Sequence, residues 1–183
     1  LMKRRALQMN QQGTPESIKE ARDKLKEVIA LDPTAVDAHI MLIGIAAEQG
    51  EYEVARDLAI QAVGSNPDDP ALLSVRSRLE LELGDAQLAA QLARLAIQKD
   101  PNSVDALGAL VTVAVKNKEK SLLEEARTLI ESGLAKNAAN ETLVLYRAQV
   151  LNSLEQPETA ISDLEKYCQT EQGAKSVSAI LTL

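Results

Sequence analysis

The chain has 183 residues, with 27 acidic side chains against 20 basic ones and a net charge of −7. A surface of that sign repels phosphate backbones and anionic lipid, so nucleic acid is not an expected partner. Hydrophobic residues make up 45% of the chain, yet aromatics are only 2% and Phe and Trp are absent. The core must therefore come from Ala, Leu, Ile and Val, which suits helices meeting closely through small residues better than a barrel or sandwich. The single cysteine, Cys168, excludes an internal disulfide and a Cys-rich zinc site. No apolar run approaches the roughly 20 residues that span a bilayer, so membrane insertion is not expected.

In chain order, residues 2–12 read as a helical remnant closed by Gly13, and Leu1 ahead of Met2 suggests a segment of a longer protein. Thr14 is an expected N-cap, with Pro15 at the first helical position and Glu16 in the first turn. Ile18, Ala21, Leu25, Val28 and Ile29 then recur at helical spacing, and the helix is expected to reach about Leu31. A second helix carries Val36, Ile40, Ile43, Ala46 and Ala47 and stops at Gly50. The next places Val54, Ala55, Leu58, Ala59, Ala62 and Val63 on one broad apolar stripe, wide enough to touch a helix on each flank.

The plan then repeats. Asp69-Pro70 caps a helix bearing Leu72, Leu73, Val75 and Leu79, broken at Gly84-Asp85. Asp85 caps another, with Leu88, Ala89, Leu92, Ala93, Ala96 and Ile97 inward. Ser103 caps a helix through Val104, Leu107, Leu110, Val111 and Ala114. After it the glycine is replaced by Asn117-Lys118-Glu119-Lys120, and three extra residues are expected in that turn. Ser121-Leu122-Leu123-Glu124 reads as a capping box that restarts the helix at Ser121. Val144, Ala148 and Leu151 face inward in the following helix, and Pro157 opens the last full one, with Ile161, Leu164, Tyr167 and Cys168 apolar. From Val177 to Leu183 a further helix begins.

The spacing organises these elements. Pro33, Pro67 and Pro101, each after Asp or Asn, stand 34 residues apart, as do Gly50 and Gly84, Ala55 and Ala89, and Ala62 and Ala96. Ala126 and Ala160 resume the same step. A fixed period of this size means a repeat array, in which one helix pair cannot bury its apolar surface without neighbours. The units run 34–67, 68–101, 102–138 and 139–173, with partial units at 1–33 and 174–183. The third unit, with its altered turn and Ala138 where a proline is expected, is the one in which irregular geometry and a bend of the array are expected.

Residues that invite a catalytic or metal reading have simpler explanations. His39 is the only histidine, with no Cys or second His at helical ligand spacing, and reads as a packed side chain. Cys168 lies far along the array from His39, so a Cys-His pair within the chain is not expected. Glu48, Glu80 and Glu82 read as solvated surface, because Glu80 and Glu82 diverge around a helix. Lys3-Arg4-Arg5 reads as a solvated terminus. No phosphate loop, HExxH or nucleophile elbow is present, so no enzyme activity, cofactor or metal is expected.

The 34-residue period, the helix-turn-helix unit, the glycine at the internal turn, the paired alanines and the closing prolines together resemble the tetratricopeptide repeat. The resemblance implies an all-α, right-handed superhelix of antiparallel helix pairs. Its first helices line a concave groove through the second, fifth, ninth, twelfth and thirteenth positions. On this chain those positions give Asp37, Ile40, Gly44, Ala47 and Glu48, then Ala71, Ser74, Arg78, Leu81 and Glu82. The third unit contributes Asp105, Gly108, Thr112, Val115 and Lys116, and the fourth Thr142, Leu145, Gln149, Asn152 and Ser153. Such a floor implies a protein scaffold for an extended peptide or a partner helix. The Lys/Asn clamp by which some members hold a C-terminal carboxylate is not expected, since Ile40 and Gly44 stand where its first pair would be. Two alternatives remain open: a structural solenoid or homo-oligomer joined through the terminal helices, and a regulatory segment of a larger enzyme. The compartment is left open between cytoplasm and periplasm.

Overall fold

A computed structural model describes residues 14–175. Among them are nine α-helices and one short 3-10 helix, and no strand. The proposed helices at 2–12 and 177–183 lie outside the described residues, and the oligomer expectation built on them does too. Two compact units divide the chain, one running to Lys99 and the other starting at Asp100.

The first unit holds α1 (Pro15–Leu31), α2 (Val36–Glu48), α3 (Tyr52–Ser65), α4 (Pro70–Glu82) and α5 (Ala86–Lys99). Each helix packs on the next, and α2 also touches α4, so the first helices of successive hairpins lie side by side. Caps fix the starts. The Thr14 side chain accepts from the Ser17 amide and Ser17 reciprocates to the Thr14 amide, while Asp69 and Asp85 accept from the Leu72 and Leu88 amides at 2.9 Å each. Gly50 and Gly84 sit at φ of 75° and 94°, a left-handed conformation that closes α2 and α4 and that a β-carbon would strain.

Two apolar clusters pack α1 to α4 together. One joins Ala21 and Leu25 of α1 to Ala38, Leu42 and Ile45 of α2; the other joins Ile43 and Ala46 of α2 to Ala55, Ala59 and Ala62 of α3 and Leu72 and Leu79 of α4. Leu58 packs against both, so α3 serves a helix on each flank. Burial of side chains the size of Leu25, Ile43 and Leu72 stabilises by about 1.5–3 kcal/mol each. Val54, expected on the inner stripe, is 44% exposed instead, because Ala55, Ala59 and Ala62 alone form the closest seam. Arg22 and Glu51 tie α1 to the head of α3 by a two-pronged contact at 3.0 and 2.7 Å. That hydrogen bond holds the Glu51 carboxyl below its usual range and raises the Arg22 guanidinium.

The second unit holds α6 (Val104–Asn117), α7 (Lys120–Lys136), α8 (Glu141–Ser153), α9 (Pro157–Cys168) and the 3-10 turn at Gly173–Lys175. The pattern of contact is the same, with α6 also against α8. Ser103 and Asn140 cap α6 and α8. The turn after α6 differs from expectation. Only Lys118 and Glu119 separate α6 from α7, and α7 has 17 residues where α3 and α5 have 14. The extra residues lengthen the helix rather than the turn, since each one added there gains a backbone hydrogen bond that a loop residue lacks. Lys118, at φ 54°, takes the left-handed role that Gly50 and Gly84 play in the first unit, as does Glu155, at φ 61°, in the turn after α8. Ser121 is not the N-cap: α7 starts at Lys120 behind Glu119, and the Ser121 hydroxyl donates to the Glu119 carboxylate at 2.7 Å. Of the apolar residues of α9, Leu164 and Tyr167 are buried and Ile161 is 44% exposed.

The loop that closes each hairpin is held by the same bond whether or not proline follows. The amides of Ala35, Asp69, Ser103 and Asn140 donate to the carbonyls of Asp32, Asn66, Asp100 and Asn137. Side chains of Asp32, Asp100 and Asn137 accept from the amide two residues on. The Asp/Asn side chain thus recurs in three of these four loops, while the Asn66 side-chain amide donates back to the Ala62 carbonyl instead, and Ala138 leaves the turn intact.

Candidate functional site

The expected groove residues fall on the first helices of the hairpins, and each unit presents its own pair. In the first unit Asp37 and Glu48 of α2 and Arg78 and Glu82 of α4 lie at or near the surface, with Ile40, Gly44, Ala47 and Ala71 half-buried beside them. Gly44 is the open point of this strip, since nothing lies within 4 Å of where its β-carbon would stand. In the second unit Asp105, Thr112 and Lys116 of α6 and Thr142, Gln149 and Asn152 of α8 flank half-buried Val115, Leu145 and Ser153. The Thr112 hydroxyl donates back to the Gly108 carbonyl at 2.8 Å, which holds that side chain against its own helix.

Three of the expected floor residues, Ser74, Gly108 and Leu81, are buried. Ser74 is fully buried and donates to the Pro70 carbonyl at 2.6 Å. Gly108 is buried under Tyr146 of α8, whose ring would meet a β-carbon on Gly108. The fifth position is therefore closed in these two hairpins, because a residue as small as serine or glycine lets the neighbouring helix or side chain cover it. Leu81 is closed as well, at 4% exposure.

Glu80, expected at the surface, is buried, with its carboxylate 3.3 Å from the Arg76 guanidinium one turn back. Residues 46, 80 and 114 share one register, and the other two are buried alanines, so the 34-residue step carries the signal that places Glu80 inward. Ser77 occupies the register of Ile43 and Val111 and donates to the Ala89 carbonyl of α5 at 2.7 Å. Helix α4 thus has polar groups at three core-facing positions, 74, 77 and 80, each with a hydrogen-bonding partner as burial requires.

The remaining candidates have structural roles. His39 is buried, with its Nε2 2.9 Å from the Pro33 carbonyl, and so pins α2 to the preceding loop. Tyr167 is buried in α9, and burial first, then the charge of Glu141, pushes its phenol up, keeping it protonated. Cys168 is half-buried and free. Among the described residues no group of three His, Cys, Asp or Glu side chains is placed to hold a metal ion, and no helix is long and apolar enough to cross a membrane.

A sequence profile of the tetratricopeptide repeat matches residues 16–79. No curated protein sequence matches the chain. Among solved structures, a thermophilic TPR protein of Thermus thermophilus superposes with a TM-score of 0.73 at 16% identity, over 99% of this chain and 94% of that one. YrrB, described as a TPR protein with an unusual peptide-binding site, gives 0.62 at 15% identity, over 95% and 87%. Yeast Tom70 gives 0.74 at 18% identity over 99% of this chain, which spans only 38% of Tom70. At these identities the likeness is one of fold: an all-α array of helical hairpins.

Proposed function

We propose that the chain is a tetratricopeptide-repeat protein, and that it is a non-catalytic scaffold that binds an extended peptide or a partner helix along its first helices. The observation that carries the reading is the open strip on α2 and α4. There the helix backbone at Gly44 is uncovered between half-buried Ile40 and Ala47, and Arg78 stands on the neighbouring helix. An uncovered glycine lets a ligand approach the helix closely, and half-buried apolar side chains beside it supply surface to desolvate. Asp37, Glu48, Arg78 and Glu82 edge the strip with both signs of charge, which sets the register of a bound chain more than its affinity. In the second unit Asp105, Thr112, Lys116, Gln149 and Asn152 offer hydroxyl, amide and charged groups suited to an extended backbone. YrrB, described as a TPR protein with an unusual peptide-binding site, supports peptide binding as a use of this fold without supporting the particular strip.

The test is selection of binders from a displayed random-peptide library, followed by titration of the best peptide against variants. Gly44→Leu fills the strip and Arg78→Glu reverses its cation. Each is expected to weaken binding at least about tenfold, or roughly 1.4 kcal/mol, with thermal stability retained. A selected peptide that tolerates both changes binds elsewhere, and the groove reading fails.

A further inference from the structure

A cleft of about 470 Å³ opens in the first unit between the N-terminal half of α1 and the turn joining α2 to α3. None of its lining residues belongs to the groove strip. Pro15 and Ile18 give it an apolar floor, and the paired Arg22 and Glu51 form a fixed wall. Lys19 and Lys26 stand on either side of that wall, at i−3 and i+4 from Arg22 on the same helix face. Both are exposed and pair with nothing among the described residues. Along the axis their backbone positions are roughly 10 Å apart, from seven residues at about 1.5 Å each. Asp23 lies between them, so the five charged groups of the cleft carry a net charge of +1 (three cations less two anions).

That sign is unusual for this molecule. From Asp32 to Asp85 there are eleven carboxylates and only three cations, Arg56, Arg76 and Arg78. Helix α1 carries four cations against four carboxylates, so an acidic partner approaching this unit is repelled less at α1 than along the rest. We propose that the cleft is a docking site for an acidic segment of a partner protein, which presents two carboxylates about 10 Å apart with an apolar side chain between them. In an extended chain rising about 3.1 Å per residue, carboxylates three residues apart meet that spacing. The carboxylates take Lys19 and Lys26, and the apolar residue between them covers the alkyl stem of Arg22, which lies between the two lysines along the helix. The chain's own Lys3, Arg4 and Arg5 have the wrong sign for this role.

The probe is a fluorescein-labelled peptide with a Glu-Leu-Ala-Glu core, titrated against the full chain by anisotropy at low salt. Saturable binding is expected, weakened about tenfold by the double change Lys19→Gln with Lys26→Gln and lost in the Gln-Leu-Ala-Gln peptide. The control pair Lys24→Gln with Lys166→Gln alters net charge equally, outside the cleft, and is expected to change little. Asp23→Asn removes the opposing carboxylate and is expected to tighten binding. Gly44→Leu is expected to leave it unchanged, which separates this site from the groove. Absence of saturable binding overturns the proposal, as does an equal loss in the control pair. So does a wild-type dimer, seen by sedimentation, that the Lys19/Lys26 change dissociates: the cleft would then receive a second copy.

Discussion

Two glycines in first helices are expected to respond oppositely to one added methyl. At Gly44 a β-carbon meets nothing within 4 Å, so Gly44→Ala gains only the difference in helix propensity, up to about 1 kcal/mol. At Gly108 the same β-carbon would overlap the Tyr146 hydroxyl oxygen and stand 2.9 Å from the ring carbon that bears it. Tyr146 must swing away, and forced movement of a packed ring costs about 1–3 kcal/mol. The propensity gain is still present at Gly108, so the net expectation is a loss of up to about 2 kcal/mol. Urea unfolding followed by circular dichroism reads both, with a 1 kcal/mol change moving a midpoint by roughly 0.5 M. Because repeat arrays need not unfold in one step, hydrogen exchange on α2 and α6 assigns each change to its helix. The cycle with Tyr146→Leu isolates the clash: in that background Gly108→Ala should become neutral or stabilising. Equal stabilisation by the two alanines in the wild-type background would refute the covered position of Gly108.

Other consequences concern the turns, caps and ion pairs. Ala138→Pro is expected to stabilise by about 0.5 kcal/mol in thermal melts, since Asn137 already has the extended φ and ψ (−146°, 86°) that Asp32 (−140°, 90°) holds before Pro33. Asn137→Ala should instead cost about 1 kcal/mol, as the Ala139 amide loses its 3.2 Å bond; a neutral result would remove the Asx side chain as a recurring element. Gly173→Ala should loosen the end of α9, because its β-carbon would run into the Tyr167 carbonyl, and faster amide exchange at Thr170 and Ala174 is the readout. Glu51 has a lowered pKa when folded, so its contribution is present above the ordinary glutamate range and is lost as pH falls through its folded value. Glu51→Gln should therefore flatten the acid side of the stability profile, and an unchanged profile would show that the Arg22 contact contributes nothing.

Much of the architecture is legible in the sequence because it rests on local chemistry. Thr14, Asp69, Asp85 and Ser103 bond the amides their positions call for, and Gly50 and Gly84 take the left-handed conformation that ends a helix. What escapes depends on choices between near-equal local solutions. Lys118 adopts the left-handed turn without being glycine, which composition alone does not announce, so three added residues become helix. Glu80 is polar by type yet buried by register, and only comparison with residues 46 and 114 reveals it. At the candidate groove, side-chain size decides exposure. Gly44 is open and Gly108 closed, because the latter alone has a tyrosine over it. The cleft beside α1 is not legible either, since Lys19 and Lys26 look like one solvated face until the α2–α3 turn stands opposite them.

Ligand binding along the faces of the first helices is tested most directly by amide and methyl chemical-shift mapping of the full chain with a selected peptide. Perturbations concentrated at Ile40, Gly44, Ala47, Arg78 and Glu82, or at Thr112, Val115, Leu145 and Gln149, are the expected result. Perturbations confined to the exposed faces of α3, α5, α7 and α9, with these positions unmoved, would contradict it.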